Sequence, residues 1–114
     1  MEKYIGMLRK YKDILQTLHW NTSKDYAKHL LFERLMNEIP EILDRFVEVC
    51  MGSRGITTLN EDEIKCEIEF TGDLVVFVND IKARFNILLV SSKETEQNVV
   101  VDILEMLDRH LYLL

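Results

Sequence analysis

His19, His29, Asp44 and Glu48 are the residues of this chain whose types and spacing could do chemistry. They stand in the runs LHWNTSKDYAKHLLFERL and EILDRFVE. Imidazole nitrogen and carboxylate oxygen together make a mixed ligand set suited to iron, zinc or manganese. His19 falls at the end of one expected helix. The other three fall on the next, where Asp44 and Glu48, one turn apart, share a face. Glu33 is a further candidate, either as an extra ligand or as the acceptor that orients the His29 ring. Singly, each has a plainer reading. A histidine in the last turn of a helix favours the helix dipole, and His29 with Glu33 could form an exposed pair worth roughly a few tenths of a kcal/mol. Asp44 and Glu48 could be solvated, or Asp44 could pair with Arg34 or Arg45. The four together point to metal.

Such residues need rigid elements to hold them. The 114 residues make one domain, 1–114, large enough for a core. One Pro and four Gly favour long helices over a turn-rich β protein. Tyr4, Leu8, Tyr11, Leu15 and Leu18 repeat at 4-3-4-3 spacing, an apolar seam for a first helix from Glu2 to Trp20. Thr22 or Ser23 is the expected cap of a second helix, with Asp25 in its first turn. That helix is expected from Lys24 to Met51, ended by Gly52. Pro40 opposes it, since it cannot bond to the Met36 carbonyl. It reads as a kink, with two shorter helices meeting near Ile39 as the alternative.

Ile64, Cys66, Ile68 and Phe70 then alternate with Lys65, Glu67 and Glu69, the period of an extended strand. A lone strand cannot satisfy its own backbone, and a two-fold copy of itself is a natural partner. A short helix is the other reading. Leu74, Phe77, Val78, Ile81, Phe85 and Leu88 form the stripe of a third helix from Asp73 to Leu89. Ser91-Ser92-Lys93-Glu94 fits a capping box, opening a fourth helix with Val100, Ile103, Leu104, Leu107, Leu111 and Leu114 inward. Four amphipathic helices with one long connection define an all-α four-helix bundle. The connection carries the extended segment and lets the second and third helices run parallel.

LHWNTSKDYAKHLLFERL resembles the opening of Dps proteins, small ferritin relatives. His19-Trp20-Asn21, His29, Phe32-Glu33, and Asp44 with Glu48 match that family's order, with two residues fewer between the histidines. VVDILEMLDRHLYLL resembles its last helix, including His110. An uncharacterised, viral ferritin-like branch is the other placement. The resemblance implies a ferritin-like fold and a ferroxidase that oxidises Fe(II) with peroxide or oxygen. The iron would lie at a homodimer interface, with His19 and His29 from one subunit and Asp44 and Glu48 from its mate. Three features depart from the family: the chain is shorter, it lacks the basic DNA-binding tail, and Pro40 stands one turn before Asp44.

The remaining signals narrow the classes. A net charge of −6 with scattered Lys and Arg argues against a nucleic-acid binder. No apolar run reaches the roughly 20 residues that span a bilayer, and the charged N-terminus does not read as a signal peptide; the expected compartment is cytoplasmic. Cys50 and Cys66 occupy apolar positions and read as buried thiols. Trp20 reads as core or dimer interface, and His110 as structural. The alternative to metal chemistry is a non-enzymatic assembly or adaptor protein. A divalent-metal hydrolase would require more acidic ligands in one cleft.

Overall fold

The computed structural model describes Met1–Leu114. It contains five α-helices, one 3-10 turn at Glu61–Glu63 and no strand. Helix α1 spans Glu2–Asn21, α2 Tyr26–Asn37, α3 Ile39–Arg54, α4 Leu74–Ser91 and α5 Glu94–Leu113. The all-helical class expected from the apolar periodicities is present. Every residue of the α1 seam is buried or half-buried, and so are the expected stripes of α4 and α5 except Leu114 at the chain end.

The expected second helix is two. Its interruption is one residue wide, at Glu38, which keeps right-handed helical angles (φ −77°, ψ −17°). Pro40 is the cause. It lacks an N–H for the Met36 carbonyl, and it is tolerated in the first turn of a new helix, where that donor would be unused anyway. The ends differ too. Gly52 stays helical, and Gly55 closes α3 in the left-handed region at φ 66°. Asp25, not Thr22 or Ser23, caps α2 by accepting from the Lys28 N–H; Thr22 instead donates back to the Leu18 carbonyl. At α5 the cap is one-sided and uses Glu96, whose carboxylate accepts from the Lys93 N–H, rather than Ser91 and Glu94.

The helices pack as α1 on α2, α4 on α5 and α3 on α5, with α1 also touching α3 and α4. The short turns at Thr22–Asp25 and Ser92–Lys93 make the first two pairs antiparallel. Glu96 near the start of α5 meets Ser53 and Arg54 at the end of α3, so α3 opposes α5 and runs parallel with α4. Tyr11, Phe46, Phe77 and Phe85 are the largest apolar groups of the shared core, with Phe85 meeting Tyr4 and Phe46 edge-on.

The connection from α3 to α4 returns along α1 as an extended strap. Ile64 shares a hollow with Ile5, and Phe70 reaches the surroundings of Ile14 and Leu18. The alternation read from the sequence holds: Ile64, Cys66, Ile68 and Phe70 are half-buried, and Lys65, Glu67 and Glu69 are exposed. No strand of this chain pairs with it. Gly6 is what lets the strap lie so close, because a Cβ there would fall 2.3 Å from the Lys65 carbonyl oxygen. Gly6→Ala therefore gains helix propensity but must lift the strap. The expected net result is a loss of about 1–3 kcal/mol together with faster reaction of Cys66 with a thiol reagent. An unchanged melting temperature and unchanged thiol reactivity would refute this account of the glycine.

Candidate functional site

His19 and His29 come together. The last turn of α1 presents one and the first turns of α2 the other, folded back by the four-residue turn. Their rings stack with centroids 3.8 Å apart and planes 21° from parallel. Each ring holds the other's backbone. His19 Nδ1 donates to the His29 carbonyl at 3.0 Å, and His29 Nδ1 donates to the His19 carbonyl at 2.7 Å. A carbonyl can only accept, so both Nδ1 atoms carry protons. In the neutral rings the lone pair then sits on Nε2, the arrangement by which a second partner prepares a histidine to bind a metal. The acceptor that orients His29 is thus the His19 carbonyl and not the Glu33 carboxylate.

Asp44 and Glu48 lie elsewhere in the same chain. Both are exposed on α3, where they line a hollow of about 190 Å³ with Arg9, Leu43, Val47 and Leu59. The arginines the sequence offered to Asp44 are engaged otherwise: Arg45 with Asp102 at 2.6 Å and Arg34 with Glu38 at 3.9 Å. Within one chain no three His, Cys, Asp or Glu side chains stand together as a metal group. Trp20, next to the histidine pair in sequence, is not in the core; it is 63 % exposed, and Tyr26 is 74 % exposed.

Two polar clusters in the core were not singled out from the sequence. In the first, the fully buried Tyr11 hydroxyl meets His110 Nδ1 at 2.7 Å, and His110 Nε2 meets the Glu38 carboxylate at 2.7 Å. Arg109 also donates to Glu38. One proton placement satisfies every member: Tyr11 O–H donates to Nδ1, and Nε2–H donates to Glu38, with the imidazole neutral. Burial pulls the His110 pKa below its ordinary value against the pull of Glu38. Burial alone would raise Glu38, but the bonds from His110 and Arg109 outweigh it and hold the carboxyl below its ordinary value. Burial and the Glu38 charge push Tyr11 well above the usual phenol range. The order hydroxyl–imidazole–carboxylate is that of a nucleophilic triad, but this hydroxyl is sealed in the core. The network ties α1, the α2–α3 junction and α5 together, in keeping with the structural role expected of His110.

In the second cluster the Glu96 carboxylate, 1 % exposed, accepts from Ser53 Oγ, from Nε and Nη2 of Arg54 and from the Lys93 N–H. The Arg54 bond leads in depressing its pKa to about 2 against the cost of burial. Burial, then the nearby Glu96 charge, pushes the Cys50 thiol up to about 11, which leaves it a poor nucleophile. The sequence did hold a signal for both clusters. His110 and Glu96 fall on the apolar stripe of α5, in phase with Ile103 and Leu107, so a polar side chain there must find a partner inside.

The fold and these clusters define an all-helical protein with a satisfied polar interior and a histidine pair at one helix–helix turn. The chain belongs to DUF5856, a family of unknown function, whose sequence profile matches residues 19–114. It is also similar to an uncharacterized 14.6 kDa protein from the mobD-ri intergenic region of Enterobacteria phage T4. The two are 24% identical over 113 residues, covering 99% of this chain and 86% of the phage protein. No solved structure matches the chain. The family match corrects the Dps placement: the His-Trp-Asn and Leu-Phe-Glu runs lie inside a DUF5856 sequence, and no Dps or ferritin-like family matches.

Proposed function

We propose that this protein binds a divalent transition metal (iron, zinc or manganese) through His19 and His29, in a homodimer whose second copy completes the ligand set. The four main helical rods, with α2 and α3 sharing one, are read as a four-helix bundle that carries the pair. The observation behind the proposal is the reciprocal bonding of the two rings. It fixes both Nδ1 atoms as donors and leaves one Nε2 lone pair on each ring; the stacked planes keep the two lone pairs from converging on one ion, so each ring supplies a single nitrogen. The donor type fits these metals, while a single nitrogen falls short of the usual four or more ligands. Asp44 and Glu48 of the second copy are the candidates for the remainder. Iron held there would supply oxidation chemistry with peroxide or oxygen, and the chain's own part is to orient the imidazoles.

Anaerobic titration with Fe(II), Zn(II) and Mn(II), read by calorimetry and thermal melting, tests the proposal. A metal that binds only the folded state stabilises it by about 2.7 kcal/mol at one hundred times its dissociation constant. The expected result is stabilisation by at least one metal, abolished in His19→Gln/His29→Gln and weakened in Asp44→Asn/Glu48→Gln. Equal stabilisation of the histidine double variant would overturn it.

A second reading, a non-enzymatic assembly protein that uses no metal, is favoured by a different observation. The outer face of α4 carries Val76, Ala83, Ile87 and Val90, all exposed, with Ile87 at 65 % and Val90 at 88 %. Such a stripe is typical of a surface that meets another protein. Normal self-association with no metal response in any titration would select this reading.

A further inference from the structure

The strap along α1 has an alternating face and a close seat on its helix; the Ile64 and Lys65 N–H groups bond the Glu61 and Glu63 carbonyls, and beyond them its N–H groups have no partner. Between Cys66 and Phe70 no backbone N–H donates to any group of the chain, and the one carbonyl used is that of Ile68, which accepts from the Cys66 thiol. Apart from a bend at Ile68 this is non-helical chain with unpaired ladder groups beside exposed side chains, the kind of segment by which one protein adds a strand to another. Its neighbours hold it in shape. Gly6 admits the Lys65 backbone, Phe70 packs edge-on against Phe77 of α4 at 5.7 Å, and Arg84 of α4 approaches Glu67 at 4.0 Å.

We propose that the strap Ile64–Phe70 is the dimerisation strand of this protein, pairing antiparallel with the same strap of a second copy about a two-fold axis at Glu67. The outward charges select this occupant and this register. With Glu67 opposite its own copy, Lys65 of each chain stands directly across from Glu69 of the other, giving two opposite-charge cross-strand pairs. Neither Lys65 nor Glu69 has an ionic partner within its own chain. The one like-charge meeting, Glu67 with Glu67, is offset by Arg84 of each chain. The apolar side chains Ile64, Cys66, Ile68 and Phe70 stay on their own cores, while pairing straightens the bend at Ile68 and draws on either the Lys65 N–H, now bonded to the Glu63 carbonyl, or the Ile68 carbonyl, now bonded to the Cys66 thiol. An interface of this kind is self-complementary by construction.

The inference rests on the proposed self-association but not on metal, so its test is run with a chelator present. Sedimentation of the full chain should give a dimer. Lys65→Glu should weaken it at least about tenfold by turning both cross-strand pairs repulsive, and Lys65→Glu/Glu69→Lys should restore it. On a Cys66→Ser background, Glu67→Cys should form a covalent dimer under mild oxidation, because residues opposite each other in such a pair lie within disulfide reach. Lys10→Cys, an exposed control on the same background, should not. A monomer at every concentration would overturn the proposal, as would a dimer indifferent to the charge reversal. If the strap dimer forms and no metal binds, the metal reading alone fails. If metal binds at His19 and His29 of a chain indifferent to the strap variants, this inference alone fails.

Discussion

Glu96→Ala is expected to destabilise the protein by about 3–4 kcal/mol, in the lower part of the range of about 3–5 kcal/mol for removing one partner of a buried ion pair. The carboxylate is the main tie between the end of α3 and the start of α5, accepting from Ser53, Arg54 and the Lys93 N–H, beside a single exposed bond from Lys93 Nζ to the Ser53 carbonyl. Without it, Arg54 and the serine hydroxyl face a core edge built to present donors, and the first turn of α5 loses the bond that closes it. Arg54 is 29 % exposed and can turn partly to water, which places the loss within that range rather than above it. The pH dependence follows with a definite sign. The folded pKa lies near 2 against an ordinary value of 4.5, so the unfolded chain takes up the proton first as pH falls. The contribution, about 3 kcal/mol from a shift of that size, is fully present above pH 4.5 and is lost between 4.5 and 2. Urea unfolding from pH 7 to pH 2.5 should show the wild type converging on Glu96→Ala as the pH drops. Parallel curves would refute the assignment.

His110→Ala should have a comparable effect through a different mechanism. It opens a cavity in a fully buried site and leaves both the Tyr11 hydroxyl and the Glu38 carboxylate short of a partner, at about 3 kcal/mol for a large-to-small change with an unpaired buried group. His110→Gln is the informative companion. Its amide can accept from Tyr11 and donate to Glu38, so it should recover much of the loss. The histidine also confers a pH response that glutamine cannot. Because the folded pKa of His110 lies below its ordinary value of 6.5, its stabilising effect is complete above pH 6.5 and erodes as pH falls through the folded value. A protonated ring would point a second N–H at Tyr11, whose own proton would then have no acceptor. Thermal melts between pH 7.5 and 5 should slope downward toward acid in the wild type and less so in His110→Gln. Nitrogen NMR should find the Nε2–H tautomer of His110 at pH 7.5; the Nδ1–H tautomer would contradict the network.

The sequence by itself determined the helical class. The seam of α1 and the stripes of α4 and α5 needed no tertiary information, because amphipathic spacing follows from 3.6 residues per turn whatever the partner. It also carried the alternation of the strap, since a period of two records which side chains face the core even where no ladder forms. The site residues were legible as types but not as a constellation. His19 and His29 are brought into contact by a turn whose closure depends on Asp25 and Thr22, and the pattern that grouped them with Asp44 and Glu48 was a family likeness that DUF5856 membership replaces. Only the tertiary structure decided that Pro40 starts a new helix, that Gly6 seats the strap, and that Tyr11, Glu38 and His110 satisfy one another. These outcomes depend on which faces meet across the core. Side chains separated by 72 and 99 positions in the chain leave no periodic trace of their pairing.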